Sequence, residues 1–188
     1  MRLRFLTNAA NILSMKTLEE MKNKLNLAPM HLMLLANTGS MTALLEAIFG
    51  KVSIETLIQR VTDADEEVAR LLGIREGEPV NHRVVKLVGR RVLVHATSYA
   101  PLSRLKKSFK EDIMRRDIPI GKIMARHSME SRREILGFDW LKAGSEFSNV
   151  FNVSPDSILL KRNYNIIYKV RPLINITEVF PYDIVRCE

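Results

Sequence analysis

Two stretches of alternating residues, each broken by a turn, constrain this fold most. The stretch "EGEPVNHRVVKLVGRRVLVHATSYAP" (76–101) divides at Gly89-Arg90 into two runs of period-two character. Near the C-terminus "SILLKRNYNIIYKV" and "LINITEVFPYDIV" form a second such pair, joined near Arg171-Pro172. Consecutive strands with short joins pair as hairpins, so both stretches call for an antiparallel sheet. "KVSIETLIQRV" (51–61) adds a strand, with Val52, Ile54, Thr56 and Ile58 alternating onto one face.

Helical signals alternate with these strands. Thr17 and Glu20 form a capping-box pattern for a helix over 17–26. "HLMLLA" (31–36) is a short apolar run that suits a strand or a buried helix. The apolar run then breaks at Asn37-Thr38-Gly39-Ser40, and Ser40 or Thr42 caps a helix that ends before Gly50. An acidic first turn and Gly73 bound a helix over 63–74, and a basic helical segment covers 102–116. Pro119 opens a helix entry, and an irregular connection follows through Trp140. Mixed helices and hairpin-joined strands predict an α+β fold, an antiparallel β-sheet with helices packed against it. The 188 residues suit one domain, residues 1–188, with 1–30 as a helical N-terminal extension.

Charge and composition narrow the partners. The net charge of +8 suits nucleic acid, a membrane surface or a small acidic ligand. No zinc finger, RNP motif or helix-turn-helix pattern supports nucleic acid. The dense segment "RLKKSFKEDIMRR" (104–116) is expected to be a solvated helix face. No run reaches the roughly 18 apolar residues of a membrane helix. Asn8 and Asn11 interrupt the apolar N-terminus, against a signal peptide. Cys187 is the sole cysteine, which excludes an internal disulfide, and His31, His82, His95 and His127 lack metal-ligand spacing. The expectation is a cytoplasmic protein with a small anionic partner, no nucleic acid and no membrane.

Strand parity singles out two charged residues. Successive side chains point to opposite faces of a sheet. Glu178 shares its face with Ile174, Ile176 and Phe180, and Arg83 shares its face with Val85 and Leu87. A buried charge must be paired or must face a ligand. The two residues therefore either form a structural pair or line a pocket. An exposed edge would accommodate them as well.

Four short motifs then fall in chain order: "GSMT" (Gly39–Thr42) entering a helix, Arg83 in "HRVVKLVG", "PIGK" (Pro119–Lys122), and "TEVFP" (Thr177–Pro181). Together they resemble the chorismate pyruvate-lyase family, which cleaves chorismate to 4-hydroxybenzoate and pyruvate. The resemblance implies that Met41, Arg83, Ile120 and Glu178 bind substrate, with Arg83 holding a carboxylate and Glu178 serving as the acid/base group beside the scissile ether. It implies no metal or organic cofactor. "LLGIREGEPVNHRVV" (71–85) is also similar to the UTRA effector-binding domains of bacterial transcription regulators, whose fold resembles the lyase. That similarity implies the alternative of a non-catalytic small aromatic-acid-binding protein. About 30 residues precede the sheet region, too few for the DNA-binding half of such a regulator.

Overall fold

A computed structural model of the chain describes residues 16–114 and 118–185. Cys187 and the N-terminal stretch "MRLRFLTNAANILSM" lie outside these residues. The sheet has six strands: β1 (Ser53–Asp63), β2 (Pro79–Val88), β3 (Val92–Pro101), β4 (Arg132–Lys142), β5 (Ile158–Tyr168) and β6 (Arg171–Pro181). Their spatial order is β1-β2-β3-β6-β5-β4, and every neighbouring pair is antiparallel. The two expected hairpins, β2–β3 and β5–β6, lie side by side, joined through β3 and β6. The fold is α+β.

Seven α-helices among the described residues cover the two faces: α1 (Leu18–Lys24), α2 (Pro29–Ala36), α3 (Met41–Phe49), α4 (Glu66–Leu72), α5 (Lys107–Ile113), α6 (Ile120–Arg126) and α7 (Gly144–Phe151). Their ends follow the local chemistry. Thr17 and Glu20 close the capping box of α1, Ser40 caps α3, and Asp65 caps α4. Gly73 ends α4 in the left-handed conformation that a glycine adopts without a Cβ clash. "HLMLLA" is helical: Pro29 at its first turn supplies a preset φ.

The helices divide into two layers. Helices α1 to α3 pack with Leu87, Val94, Leu160 and Phe180 of the sheet, and α5 and α6 pack with Tyr164, Ile166, Ile174 and Ile176. By strand parity these sheet residues share one face. On the opposite face α4 packs with Val80 and Tyr99, and α7 packs with Leu159 and Val179. Helix α5 buries Phe109, Asp112 and Ile113 and exposes Lys107 and Lys110, so this part of the basic segment presents a solvated face. Arg104, expected with it, is instead half-buried and donates to the carbonyls of Leu72, Gly73 and Pro172, and residues 115–116 lie outside the described residues.

Three sequence expectations change. The irregular connection after α6 contains β4, whose period breaks because a bulge lies between Ile135 and Gly137. Ile135 and Phe138 therefore reach the same face at a spacing of three. A bulge between Thr56 and Ile58 acts likewise in β1. Ile58 pairs with Val84 while Thr56 pairs with Val85, so Ile58 points away from the face of Ile54 and Thr56. The last hairpin turns at Lys169-Val170, and Arg171 and Pro172 already belong to β6.

Both residues of that turn have positive φ, 46° and 63°. A two-residue turn of this hand matches the strand twist but favours Asn-Gly. Val170 is 93% exposed, so no burial compensates its branched side chain there. Left-handed backbone costs an L-residue roughly 1–2 kcal/mol. Val170→Gly is expected to stabilise the protein by about 0.5–1 kcal/mol after the added chain entropy of glycine. Thermal unfolding would show a rise in midpoint; a lower midpoint would show that the turn is not strained.

His95 generates a pH prediction. It is buried between β3 and Phe147 of α7, with ring centroids 5.3 Å apart. Burial, reinforced by Lys86 on the paired strand, pushes its pKa down to about 4. The unfolded chain takes up this proton near pH 6.5 and the folded chain does not. Stability from this group is thus complete above pH 6.5 and is lost as pH falls toward 4, by on the order of 3 kcal/mol. Urea unfolding at pH 7.5 and 4.5 should show a smaller loss for His95→Gln than for the parent. Equal losses would contradict this origin.

Candidate functional site

A cavity opens on the face covered by α2, α3 and α6. Its empty space is about 580 Å³, counting the open mouth. The floor is sheet: Arg83, Val85 and Leu87 of β2, Ala96 and Ser98 of β3, Ile176 and Glu178 of β6, and Tyr164 and Ile166 of β5. Ser40, Met41 and Thr42 form one wall, and Pro119, Ile120 and Gly121 form another. All four residues expected from sequence, Met41, Arg83, Ile120 and Glu178, line this one space. Alternation brings them there: Arg83 pairs with Ser98, and Glu178 pairs with Ala96, so both charges stand on the same face across β3.

Glu178 does not pair with Arg83. It is 4% exposed, and its partner is Arg162, directly opposite on β5 and fully buried. Arg162 Nε donates to Glu178 Oε2 at 2.7 Å. Its Nη2 lies at the same distance from that oxygen but is too poorly aligned to count as a second hydrogen bond. The Tyr164 hydroxyl donates to Oε1 at 2.9 Å. Burial and then the Glu178 charge push the Tyr164 pKa far above the usual phenol range, so Tyr164 remains a donor. Both partners donate to Glu178, which suits a carboxylate and leaves acceptor capacity toward the cavity. Arg83 is 2% exposed, and its Nη2 lies 3.5 Å from Thr56 Oγ1.

Arg162 also organises the wall. Its Nη1 donates to the carbonyls of Leu34, Leu35 and Asn37, at 2.9, 3.1 and 2.7 Å. These belong to the end of α2, where carbonyls lack intrahelical donors and the helix dipole favours a cation. The chain then turns sharply, with Asn37 Oδ1 accepting from Gly39 N at 2.8 Å. Ser40 Oγ accepts from Ala43 N at 3.2 Å to start α3. The break in "LLANTGSMTALLEAIFG" is thus a helix–turn–helix junction. It sets the first N–H groups of α3, which have no intrahelical acceptor, beside the cavity. Arg133 of β4 lines the far side and donates from Nη1 to the Thr38 carbonyl at 3.0 Å.

Tyr164 and Arg133 line the cavity and Arg162 backs Glu178 from beneath it; strand parity singled out none of the three. Arg162 shares its face with Leu160, Tyr164 and Ile166 and so carried the signal that exposed Glu178. Arg133 carried none, because its strand was hidden by a bulge. Among the described residues, no group of three His, Cys, Asp or Glu could hold a metal ion, and no helix is long and apolar enough to cross a membrane.

Comparison with known proteins matches this architecture at two levels. The effector domain of PhnF from Mycobacterium smegmatis superposes with a TM-score of 0.68 at 14% identity, over 78% of this chain and 91% of that domain. The C-terminal domain of the histidine utilization repressor from Pseudomonas syringae pv. tomato gives a TM-score of 0.57 at 14% identity, over 73% and 96%. These likenesses establish a UTRA-like fold. A relative in Methanocaldococcus jannaschii, named "Putative lyase MJ0807", is 36% identical over 154 residues, which is 78% of this chain and 75% of that protein. The family model described as "Chorismate pyruvate-lyase Rv2949c-like" matches residues 35–188, from the end of α2 through all six strands. The chain belongs to the Rv2949c-like chorismate pyruvate-lyase family.

Proposed function

We propose that this protein is a lyase that cleaves chorismate to 4-hydroxybenzoate and pyruvate. One observation carries the reading: a guanidinium and a carboxylate, both buried, stand on one face of an otherwise largely apolar cavity. Family membership supports chorismate as the substrate.

In this reading Arg83 holds the ring carboxylate. A guanidinium matches a carboxylate in a planar two-point contact and keeps its charge at any relevant pH. Ile54, Val85, Ile120 and Ile176, all at the cavity surface, sandwich the ring. Glu178, held by Arg162 and Tyr164, meets the ring hydroxyl and the edge where hydrogen is lost. The bond from the ring to the enolpyruvyl oxygen breaks and its electron pair leaves with that oxygen; the hydroxyl-bearing ring carbon loses its hydrogen as a proton, and the released enolpyruvate takes up a proton to become pyruvate. Aromatisation drives the step, so the protein chiefly orients the substrate and excludes water. The paired state of Glu178 favours a role as acceptor and orienting group over one as proton donor.

The test mixes purified protein with chorismate and follows both products. Equal amounts of 4-hydroxybenzoate and pyruvate are expected. Glu178→Gln should lower kcat by about 10²–10⁴-fold. Arg83→Ala should abolish turnover and weaken 4-hydroxybenzoate binding. Full activity in both variants would refute the site assignment. Binding of 4-hydroxybenzoate without turnover would instead identify an aromatic-acid-binding protein.

Arg162 is expected to act through position and stability. Removing it strands the Glu178 charge and three carbonyls, at a cost of about 3–5 kcal/mol. Arg162→Met should therefore lower the unfolding midpoint in urea far more than Arg83→Ala does. Similar midpoints would contradict the linking role.

A further inference from the structure

Arg133 is not among the partners of Glu178. It lies on β4, at the opposite end of the cavity from Arg83 on β2. Four strand-to-strand steps separate β2 from β4, about 19 Å along the sheet at the usual spacing. Glu178 on β6 lies midway in strand order. The cavity thus has a cation at each end and a carboxylate in the middle.

The hydrogen bonds of Arg133 are incomplete in a specific way. Its Nη1 donates to Thr38, and its guanidinium centre lies 5.9 Å from the Tyr164 ring centroid. Its Nε is buried and has no acceptor, and no ion pair joins Arg133 to a carboxylate among the described residues. Guanidinium has five donors in a planar fork. The Thr38 contact uses the Nη1 side and leaves the Nε–Nη2 edge, the pair of donors that engages a carboxylate in parallel. Glu178 does not fill this need: its partners are Arg162 and Tyr164, and no hydrogen bond or ion pair joins it to Arg133.

We propose that Arg133 is a second carboxylate-binding residue, which holds the ether-linked carboxylate of a dicarboxylate substrate while Arg83 holds the ring carboxylate. The inference rests on the lyase reading for the identity of that substrate. Two separated cations select a dianion with one carboxylate on the ring and the other on an ether-linked side arm. They also explain selective release. After cleavage the two carboxylates are on separate molecules, and each product keeps only one of the two anchors.

Calorimetric titration of the full chain with two stable probes tests this. The first probe is 4-hydroxybenzoate. The second is 3-(carboxymethoxy)-4-hydroxybenzoate, which adds an ether-linked carboxylate. Arg133→Gln should weaken the dicarboxylate by about tenfold or more and leave 4-hydroxybenzoate within about twofold of the parent. Arg133→Lys, which keeps the charge but loses the fork, should fall between. Arg83→Gln should weaken both probes. If Arg133→Gln weakened both probes equally, Arg133 would act only through the Thr38 turn, and the proposal would fail. No change for either probe would also overturn it. Absence of chorismate turnover in the parent would defeat the lyase reading alone, since the titrations need no chemistry. Turnover with an unchanged KM for chorismate in Arg133→Gln would defeat only this proposal.

Discussion

A guanidinium sealed from solvent fixes the relation between helices and sheet in this protein. Arg162 reaches from β5 to Glu178 on one side and to three carbonyls at the end of α2 on the other. Its centre stacks 4.9 Å from the Tyr164 ring and 5.9 Å from the Phe180 ring. Taking a cation out of water costs several kcal/mol, and an isolated ion pair seldom returns that. Here a carboxylate, the helix carbonyls and two aromatic faces share the compensation. The end of α2 cannot move without exposing this charge to unsatisfied surroundings. The Asn37–Ser40 turn, the start of α3 and the Met41 wall follow from where α2 ends.

Most of the fold was legible because it obeys periodicity and capping. The two hairpins, the strand at 51–61, the caps at Thr17 and Ser40 and the helix stop at Gly73 all came from local chemistry. The errors have a common physical cause. Bulges at Leu57 and Leu136 each add a residue to a strand, and a parity count cannot register an extra residue. In β1 the count sent Ile58 to the wrong face, and in β4 it concealed the strand. Helix α7 was missed because its apolar positions, Phe147, Val150 and Phe151, span little more than one turn. The turn at Lys169-Val170 lacks glycine and asparagine, so composition gave no reason to place it there.

The site was legible in part, and the division is informative. Glu178 and Arg83 stood out as charges on apolar faces, and their strands keep regular register around them, since the irregularity of β6 lies at Leu173, before Ile174. What parity could not supply was the pairing. Two opposite charges on one face invite the inference of a mutual bond, but β3 lies between their strands. Arg162, on the strand adjacent to β6, is the neighbour that geometry selects. Sequence reveals which side of a sheet a residue faces. Strand order decides which residue it meets, and that order follows from long-range packing between the hairpins.

The pairing bears on how a UTRA-like fold could gain chemistry. A binding pocket needs a cation for an anionic ligand and apolar walls, and Arg83 with its neighbours provides both. A buried carboxylate in the same pocket opposes an anion, and it is retained at low cost only if its charge is neutralised from behind. Arg162 does this from the sheet side, and Tyr164 holds the second oxygen. The cavity face of Glu178 can then accept a hydrogen bond while Arg83 and Arg133 still set the positive charge of the cavity. A carboxylate screened in this way can sit within reach of a dianionic ring without repelling it. The arrangement offers acceptor chemistry in a pocket that remains attractive to anions.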